Sequence, residues 1–504
     1  MENFNLAYHT RLDNNGMHLS YEYLQSFISE DLFLVNSLIT KNNITFDAYK
    51  TSVIDKAKKE QFFYYLFNDA GDVIKKSDNA TEEWIETRAN IYQDFLSSIT
   101  SITKLPGFIF GIEYKDMTHG SDLPLLCFHK NIDNQSYILI PDFEIIQYNY
   151  YTQLKDGTDL ENKIDKAVFV GSTTGTNFKE NRSCWNTIDN ILNDPSVRIS
   201  AARFFNDKEN VIFKLPSIVQ CDSSQTEKFL RNQPYMQAQR MTWDQQYLNR
   251  YIISVDGNGP TCTRVALALL SNSVLMKYNS NWTVYYHRML KPYFNYLPVE
   301  NHVDIERLME TFSHDLDFLR FINGNAKREF RLLFNRRNVQ RMFAIALNEL
   351  YAIFFGHNTI YQENRRRISQ VAHLDIDAHL SNIGDKQFWP DHEVYCDGQF
   401  IEGITIYPAS ALIYWYNMEY QAKLENGTIT ACANGGGFVG TKDHSLRMVA
   451  FRFLAKPNIP CHIEYEGVFE SGYKKTVKNG NWLEYNNEML IRITFKFGAI
   501  QNEG

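Results

Sequence analysis

Apolar and polar positions change rhythm three times along the chain. Tyr21 to Ile28 opens an amphipathic helical pattern. Trp84 to Ile102 gives another, with Trp84, Ile91, Phe95, Ile99 and Ile102 near one face. Between them Phe62-Phe63-Tyr64-Tyr65-Leu66-Phe67, followed by Asn68-Asp69-Ala70-Gly71, predicts a strand and a turn. From position 106 the pattern shifts to short apolar runs at Phe108–Ile112, Pro124–Phe128, Tyr137–Ile140 and Ala167–Val170. These runs are almost continuously apolar, as in strands covered on both faces of a parallel sheet. Helix-like segments such as Asn181 to Leu192 alternate with them, which is the α/β pattern. A second α/β unit starts near 244, with strands at Tyr251–Val255, Ser273–Lys277 and Asn295–Val299 and a helix from Arg264 to Leu270. Asp304 to Phe355 is strongly helical and carries Lys327, Arg328, Arg331, Arg336, Arg337 and Arg341. These cations read as a solvated helix face. A surface that leans on anionic lipid, giving peripheral membrane contact, is the alternative.

After 370 the strands alternate apolar and polar, and an internal repeat emerges. One copy runs from Met418 through Asn426-Gly427 to Arg447–Phe453, and another from Cys461 through Lys478-Asn479-Gly480 to Ile491–Phe497. A more worn copy precedes both, from Ile376 through Gly384 and Cys396-Asp397-Gly398 to Ile401–Tyr407. Each copy is strand, glycine-containing turn, strand. Such units cannot bury a face singly, so one all-β domain with pseudo-threefold symmetry is expected. The organisation predicted is therefore a helical N-terminal part (1–105), two α/β lobes (106–243 and 244–368) and a β domain (369–504).

Composition narrows the function. With 51 Lys and Arg against 59 Asp and Glu, the net charge of −8 gives no electrostatic reason to bind nucleic acid. No apolar run approaches the roughly 20 residues that span a bilayer. The opening Met1-Glu2-Asn3-Phe4-Asn5 lacks the features of a signal peptide, and the seven cysteines form no CxxC pair. Free thiols in a reducing cytoplasm are the expectation.

Three constellations carry chemistry. Gly171-Ser172-Thr173-Thr174-Gly175 follows a strand and offers backbone N–H groups and hydroxyls to a phosphate; a structural turn is the competing reading. Asp256-Gly257-Asn258-Gly259-Pro260-Thr261-Cys262-Thr263-Arg264 stands at another strand end. Its glycines permit close approach, Thr261 and Thr263 bring hydroxyls, and Arg264 has the fork to grip a diphosphate, unless the segment is only a tight turn with Arg264 in solvent. Ligands of open α/β sheets bind outside strand carboxyl ends, so one such loop in each α/β unit suggests a ligand in a cleft between lobes. In Ile140-Pro141-Asp142-Phe143-Glu144, Asp142 is either a general base or a helix N-cap. Asp315-Leu316-Asp317 and Asp375-Ile376-Asp377 are not at strand ends of the sheet region, so no metal–diphosphate role is assigned.

Taken in order, these segments resemble glycosyltransferase family 90. The match runs through Tyr251–Gly259 to Arg264, then Leu269–Lys277, then Trp282, Tyr285-Tyr286 and Leu290–Val299. Upstream, Phe169–Gly175 is similar to the family's aromatic-Arg-Gly-Ser-x-Thr segment, and Ile140–Glu144 to its Leu-Pro-Asp-x-Glu segment. The resemblance implies two Rossmann-like lobes in the GT-B arrangement and inverting transfer from a UDP-sugar with no metal or other cofactor. It makes Asp142 the catalytic base. Donor binding falls to Gly171, Ser172, Thr174, Asp256, Gly257, Asn258, Thr261, Thr263 and Arg264. Val170 stands where the family has Arg, and Lys179 or Arg182, a turn later, would have to compensate. Family precedent favours glucose or xylose, with a glycan or lipid-linked glycan as acceptor, such as a bacterial lipopolysaccharide or capsule precursor. The alternatives are a carbohydrate-binding protein with inactive lobes and a protein O-glycosyltransferase. The C-terminal repeats look distantly like clostridial hydrophobic-W repeats, which would give them a glycan-binding or subunit-contact role.

Overall fold

The computed structural model describes residues 18–499 apart from 78–81, 116–120, 153, 155, 176–184, 237–238, 261, 371–373, 389–392, 397, 409–417, 443, 455–460 and 479. It is a mixed α/β structure with parallel and antiparallel sheets.

The first sheet begins as the predicted hairpin. β1 (Phe63–Phe67) pairs antiparallel with β2 (Val73–Lys76) around the Asn68–Gly71 turn, where the Asn68 side chain accepts the Asp72 N–H at 2.8 Å. β3 (Ile109–Glu113) lies antiparallel to β1, and β4 (Leu125–Cys127) then runs parallel to it. After β5 (Lys130–Asn131), β6 (Tyr137–Leu139) extends the sheet parallel to β4, giving the order β2-β1-β3-β4-β6. Burial follows the sequence pattern. β1 alternates buried and half-buried residues, whereas β3, β4 and β6 are buried throughout.

The second sheet is wholly parallel, in the order β12-β10-β9-β7-β8. Its strands are β7 (Ile164–Ser172), β8 (Val211–Ser217), β9 (Asn249–Ser254), β10 (Val274–Tyr278) and β12 (Leu297–Val299). The boundary expected at 243 therefore falls inside this sheet. Ala167–Val170, read as the fourth strand of the first unit, pairs instead with β8 and β9. A run of Ala, Val and Phe buried on both faces fixes its depth, not its partner. Successive residues do serve opposite cores. Val168 and Ile252 join the core shared with the first sheet, while Ala167, Phe169, Tyr251 and Ile253 join a separate one. The short β11 (Trp282–Thr283) pairs with β5 and ties the two units together.

The helical region 304–355 resolves into helices His302–Phe312, Leu316–Leu333 and Arg336–Phe355. The last of these packs against the first unit, with Phe343 against Tyr92 and Phe95 and Tyr351 against Phe108. Its arginines are not a solvated face. Arg336, Arg337 and Arg341 are only 8%, 2% and 4% exposed. Arg336 meets Asp375 and Asp377, and Arg337 meets Asp375 at 3.3 Å. Arg341 donates to the carbonyls of Ile368 and Leu19 at 2.8 and 2.7 Å. Acceptors supplied by a distant strand and by backbone make burial of these charges tolerable. They are withdrawn from any lipid contact, and the second Asp-x-Asp pair is consumed in holding them. No described helix is long and apolar enough to cross a membrane.

The C-terminal strands form three four-stranded antiparallel sheets. β13 (Leu374–Leu380) and β16 (Ile401–Pro408) are the long pair of the first, with β14 (Gly384–Phe388) beside β13. β17 (Glu419–Leu424) and β20 (Met448–Phe453), with β18 (Ala433–Asn434), build the second. β21 (Cys461–Phe469) and β24 (Leu490–Ala499), with β22 (Lys474–Lys478), build the third. Each sheet takes its remaining strand from elsewhere. β19 (Phe438–Gly440) joins β16, β23 (Leu483–Glu484) joins β20, and β15 (Glu393–Tyr395) joins β24. Each long pair shifts register near the end of its first strand, at His379/Leu380, Lys423/Leu424 and Val468/Phe469. The turns carry Gly384, Gly427 and Gly472 at φ of +85°, +86° and +84°, a region closed to most side chains. Tyr420 and Tyr465 use their hydroxyls alike, accepting the N–H of Ile406 and of Phe453 at 2.8 and 3.3 Å. One apolar core, including Ile376, Tyr420, Phe451, Tyr465 and Phe495, is shared by all three sheets.

Candidate active site

The loops that follow β6, β7 and β9 converge on a cleft of about 230 Å³, whose lining includes Arg88, His129, Asp142, Glu144, Thr174, Arg198, Gly257 and Asn258. The sequence segments singled out as chemical thus meet, but not as expected. The Gly171 and Asp256 loops do not come from separate lobes. They follow adjacent parallel strands of the second sheet, and the first sheet contributes Asp142 from across the cleft.

Asp142 follows β6 and caps the helix Phe143–Gln147, its carboxylate accepting the Glu144 N–H at 2.7 Å. It is 1% exposed, and its two sequence readings are compatible, because one oxygen serves the cap while the residue lines the cleft. The preceding carbonyl, of Pro141, is fixed by the Tyr92 hydroxyl at 2.7 Å. Tyr285 lies close enough for Asp142 to act on it. Burial first, and then the Asp142 charge, push the Tyr285 phenol well above its ordinary value.

Opposite stands Arg198, from the helix Val197–Phe204. Its guanidinium donates to the carbonyls of Asp256, Val255 and Ser172 at 3.0, 3.0 and 3.2 Å and to the Thr174 hydroxyl at 2.7 Å. One arginine therefore cross-links the two loops. Glycine lets them touch, since a Cβ at Gly257 would stand 2.7 Å from the Thr174 hydroxyl and 2.9 Å from the Arg198 guanidinium. Gly257→Ala is expected to pry the loops apart and destabilise the protein by about 1–3 kcal/mol, the usual overpacking cost. Denaturant melts check this.

Sequence reasoning missed Arg198. The only available signal was a charge beside the buried Ile199, Ala201 and Ala202 of its helix. Arg264, expected to grip a diphosphate, is not among the residues lining this cleft. The Arg264 guanidinium lies 4.6 Å from the Phe169 ring and 5.1 Å from that of Trp243. It donates to Gln246 at 3.0 Å and to the Val170 carbonyl. These partners lie beneath the β7 end and draw the side chain away from the cleft. Burial, and then Arg198, lower Arg264 to about 9, and burial lowers Arg198 to about 10. Both guanidiniums spend their donors on carbonyls, a hydroxyl and an amide oxygen, and the nearby Asp256 charge offsets part of the burial effect on Arg198.

The remaining predicted residues divide. Ser172 contacts Thr174 at 3.1 Å, and the Asn258 side chain accepts the Gly175 N–H at 3.4 Å. Asp256 directs its carboxylate to the Ser280 hydroxyl, and Thr263 binds Glu144. Gly171 packs against Phe169 outside the cleft lining. Lys179, Arg182 and Thr261 lie outside the described residues. No group of three or more His, Cys, Asp or Glu among the described residues is placed to hold a metal ion.

Residues 153–333 match the model of glycosyl transferase family 90. This segment is a family 90 glycosyltransferase domain. It takes in the whole second sheet, both converging loops, Arg198 and Arg264. Asp142 precedes the matched segment and belongs to the first sheet's side of the cleft. Glycosyltransferase activity, with a sugar donor and an acceptor, follows from the family 90 assignment. No curated protein matches the chain.

Proposed function

We propose that this protein is an inverting, metal-independent glycosyltransferase that moves a sugar, glucose or xylose by family precedent, from a UDP-sugar to a hydroxyl of a glycan acceptor. The observation that carries this reading is the cleft's polarity: a buried carboxylate, Asp142, facing two loops cross-linked by the enclosed Arg198 guanidinium, whose donors go to their carbonyls and to the Thr174 hydroxyl. Asp142 removes the acceptor's hydroxyl proton while that oxygen attacks the anomeric carbon. The diphosphate leaves from the opposite face, its growing charge met by Arg198 and by the hydroxyls of Ser172 and Thr174. Arg264 acts at one remove, fixing Phe169 and the Val170 carbonyl beneath the loop. Arg198 brings to the loop after β7 the guanidinium that Val170 does not supply.

A partly parallel first sheet and a wholly parallel second sheet facing this cleft support a GT-B-type pairing. The shared strand plan, turns and tyrosine contacts of the three C-terminal sheets support three copies of one unit. A lipid-linked precursor of a bacterial surface glycan is the acceptor proposed, handled in the cytoplasm.

The test is a thermal-shift panel of UDP and UDP-sugars with and without EDTA. At 100 times its dissociation constant, a ligand of the native state adds about 2.7 kcal/mol. The expected result is a UDP-dependent, EDTA-insensitive rise in melting temperature that Arg198→Ala abolishes. No rise with any UDP compound would overturn the reading.

A further inference from the structure

Glu144 stands two residues beyond Asp142 and lines the same cleft. Its carboxylate accepts the Thr263 backbone N–H at 3.2 Å and also the Thr263 hydroxyl. Thr263 belongs to the first turn of the helix Cys262–Leu270. The contact crosses from the loop after β6 to the segment after β9, so an acid of the first unit sits on the positive end of a helix of the second. The same cleft also presents Arg198, an enclosed cation. A carboxylate held by an N–H and a hydroxyl, in a cleft that such a cation also lines, has the charge and the hydrogen-bonding of a phosphoryl oxygen.

We propose that Glu144 is an internal competitor of the donor's diphosphate, an inference that rests on the nucleotide-sugar reading above. A phosphoryl oxygen takes the Thr263 N–H and hydroxyl and displaces the Glu144 carboxylate. The displacement reaches Asp142 directly, because Asp142 holds the Glu144 N–H at 2.7 Å and both residues belong to one helical turn. Donor binding thereby re-aims the base, and the donor binds before the acceptor. Glu144 is in these terms a positioning residue and not a catalytic one.

The experiment measures UDP affinity by calorimetry for the full chain and for Glu144→Gln and Glu144→Ala, with melting temperatures recorded alongside. Gln keeps the shape and one acceptor but not the charge. UDP should bind about tenfold more tightly to Glu144→Gln, the scale set by trading a charge-assisted hydrogen bond for a neutral one. KM for the UDP-sugar should fall with it, with no matching gain in kcat. A merely structural role would lower the melting temperature and leave UDP affinity equal or weaker. Equal or weaker binding by Glu144→Gln therefore overturns the proposal, and Glu144→Gln alone decides if Glu144→Ala fails to fold. If UDP binds none of the three proteins, the nucleotide-sugar reading itself falls, and this inference with it.

Discussion

Asp142→Asn is expected to reduce sugar transfer by about 10²–10⁴-fold, the usual worth of a positioned general base, while leaving the fold and UDP binding intact. The two readings of this residue predict different outcomes. If Asp142 were only a helix cap, Asn would replace it at little cost, because Asn caps helices about as well as Asp and still accepts the Glu144 N–H. An amide cannot take the acceptor's proton at neutral pH. The donor loops, built from the other sheet, do not depend on the charge of Asp142. UDP release from the donor selected by the thermal-shift panel, with water as the slow acceptor, measures the loss, and the UDP-induced rise in melting temperature serves as the control. A variant that turns over like the unaltered protein would place the base elsewhere.

Asp375→Ala should destabilise the protein by about 3–5 kcal/mol, because it strands Arg336 and Arg337 in the interior. All three side chains are almost fully enclosed, and Asp375 faces both arginines at 3.3 Å. Burial pushes the Asp375 carboxyl up, but Arg336 and Arg337 more than reverse this and hold it below its ordinary value. Its contribution is therefore complete above the unfolded value of about 3.9 and is lost as pH falls through the lower folded one. Asp377 differs in sign. Burial outweighs Arg336 there, and the carboxyl is raised, so the folded state disfavours its ionised form. Asp377→Asn should accordingly cost less than Asp375→Asn, although Asp377 also meets Arg336. Denaturant melts of the variants at neutral pH, and of Asp375→Ala below pH 4, check both the order and the sign. The Asp375→Ala curve should fall less steeply in acid, since the contribution it lacks cannot be lost again.

Much of the strand pattern could be read from the chain, because continuous apolar runs mark strands covered on both faces and alternation marks half-covered ones. What the runs do not encode is partnership. Ala167–Val170 would fit either parallel sheet, and only the pairing of β7 with β8 and β9 assigns it. The loops after β7 and β9 were legible from their glycines and hydroxyls, and Asp142 from its place after a strand. Arg198 was not, because its value comes from carbonyls dozens of residues away. The partners of Arg264 were not legible for the converse reason. A fork suited to phosphate is equally suited to aromatic faces and a backbone carbonyl, and local sequence does not distinguish these partners. Arg336 and Arg337 show the same limit, since their counter-charges follow some forty residues later in the chain.

The borrowing of strands among the three C-terminal sheets bears on how such a domain is inherited. The first sheet borrows β19, the second β23 and the third β15, so each loan closes a ring. A gene truncated after β20 would not leave two sound sheets. It would deprive the second of an edge strand and abandon β15 with nothing to pair against. The ring can be gained or lost as a whole, but a lineage cannot shorten it by one member.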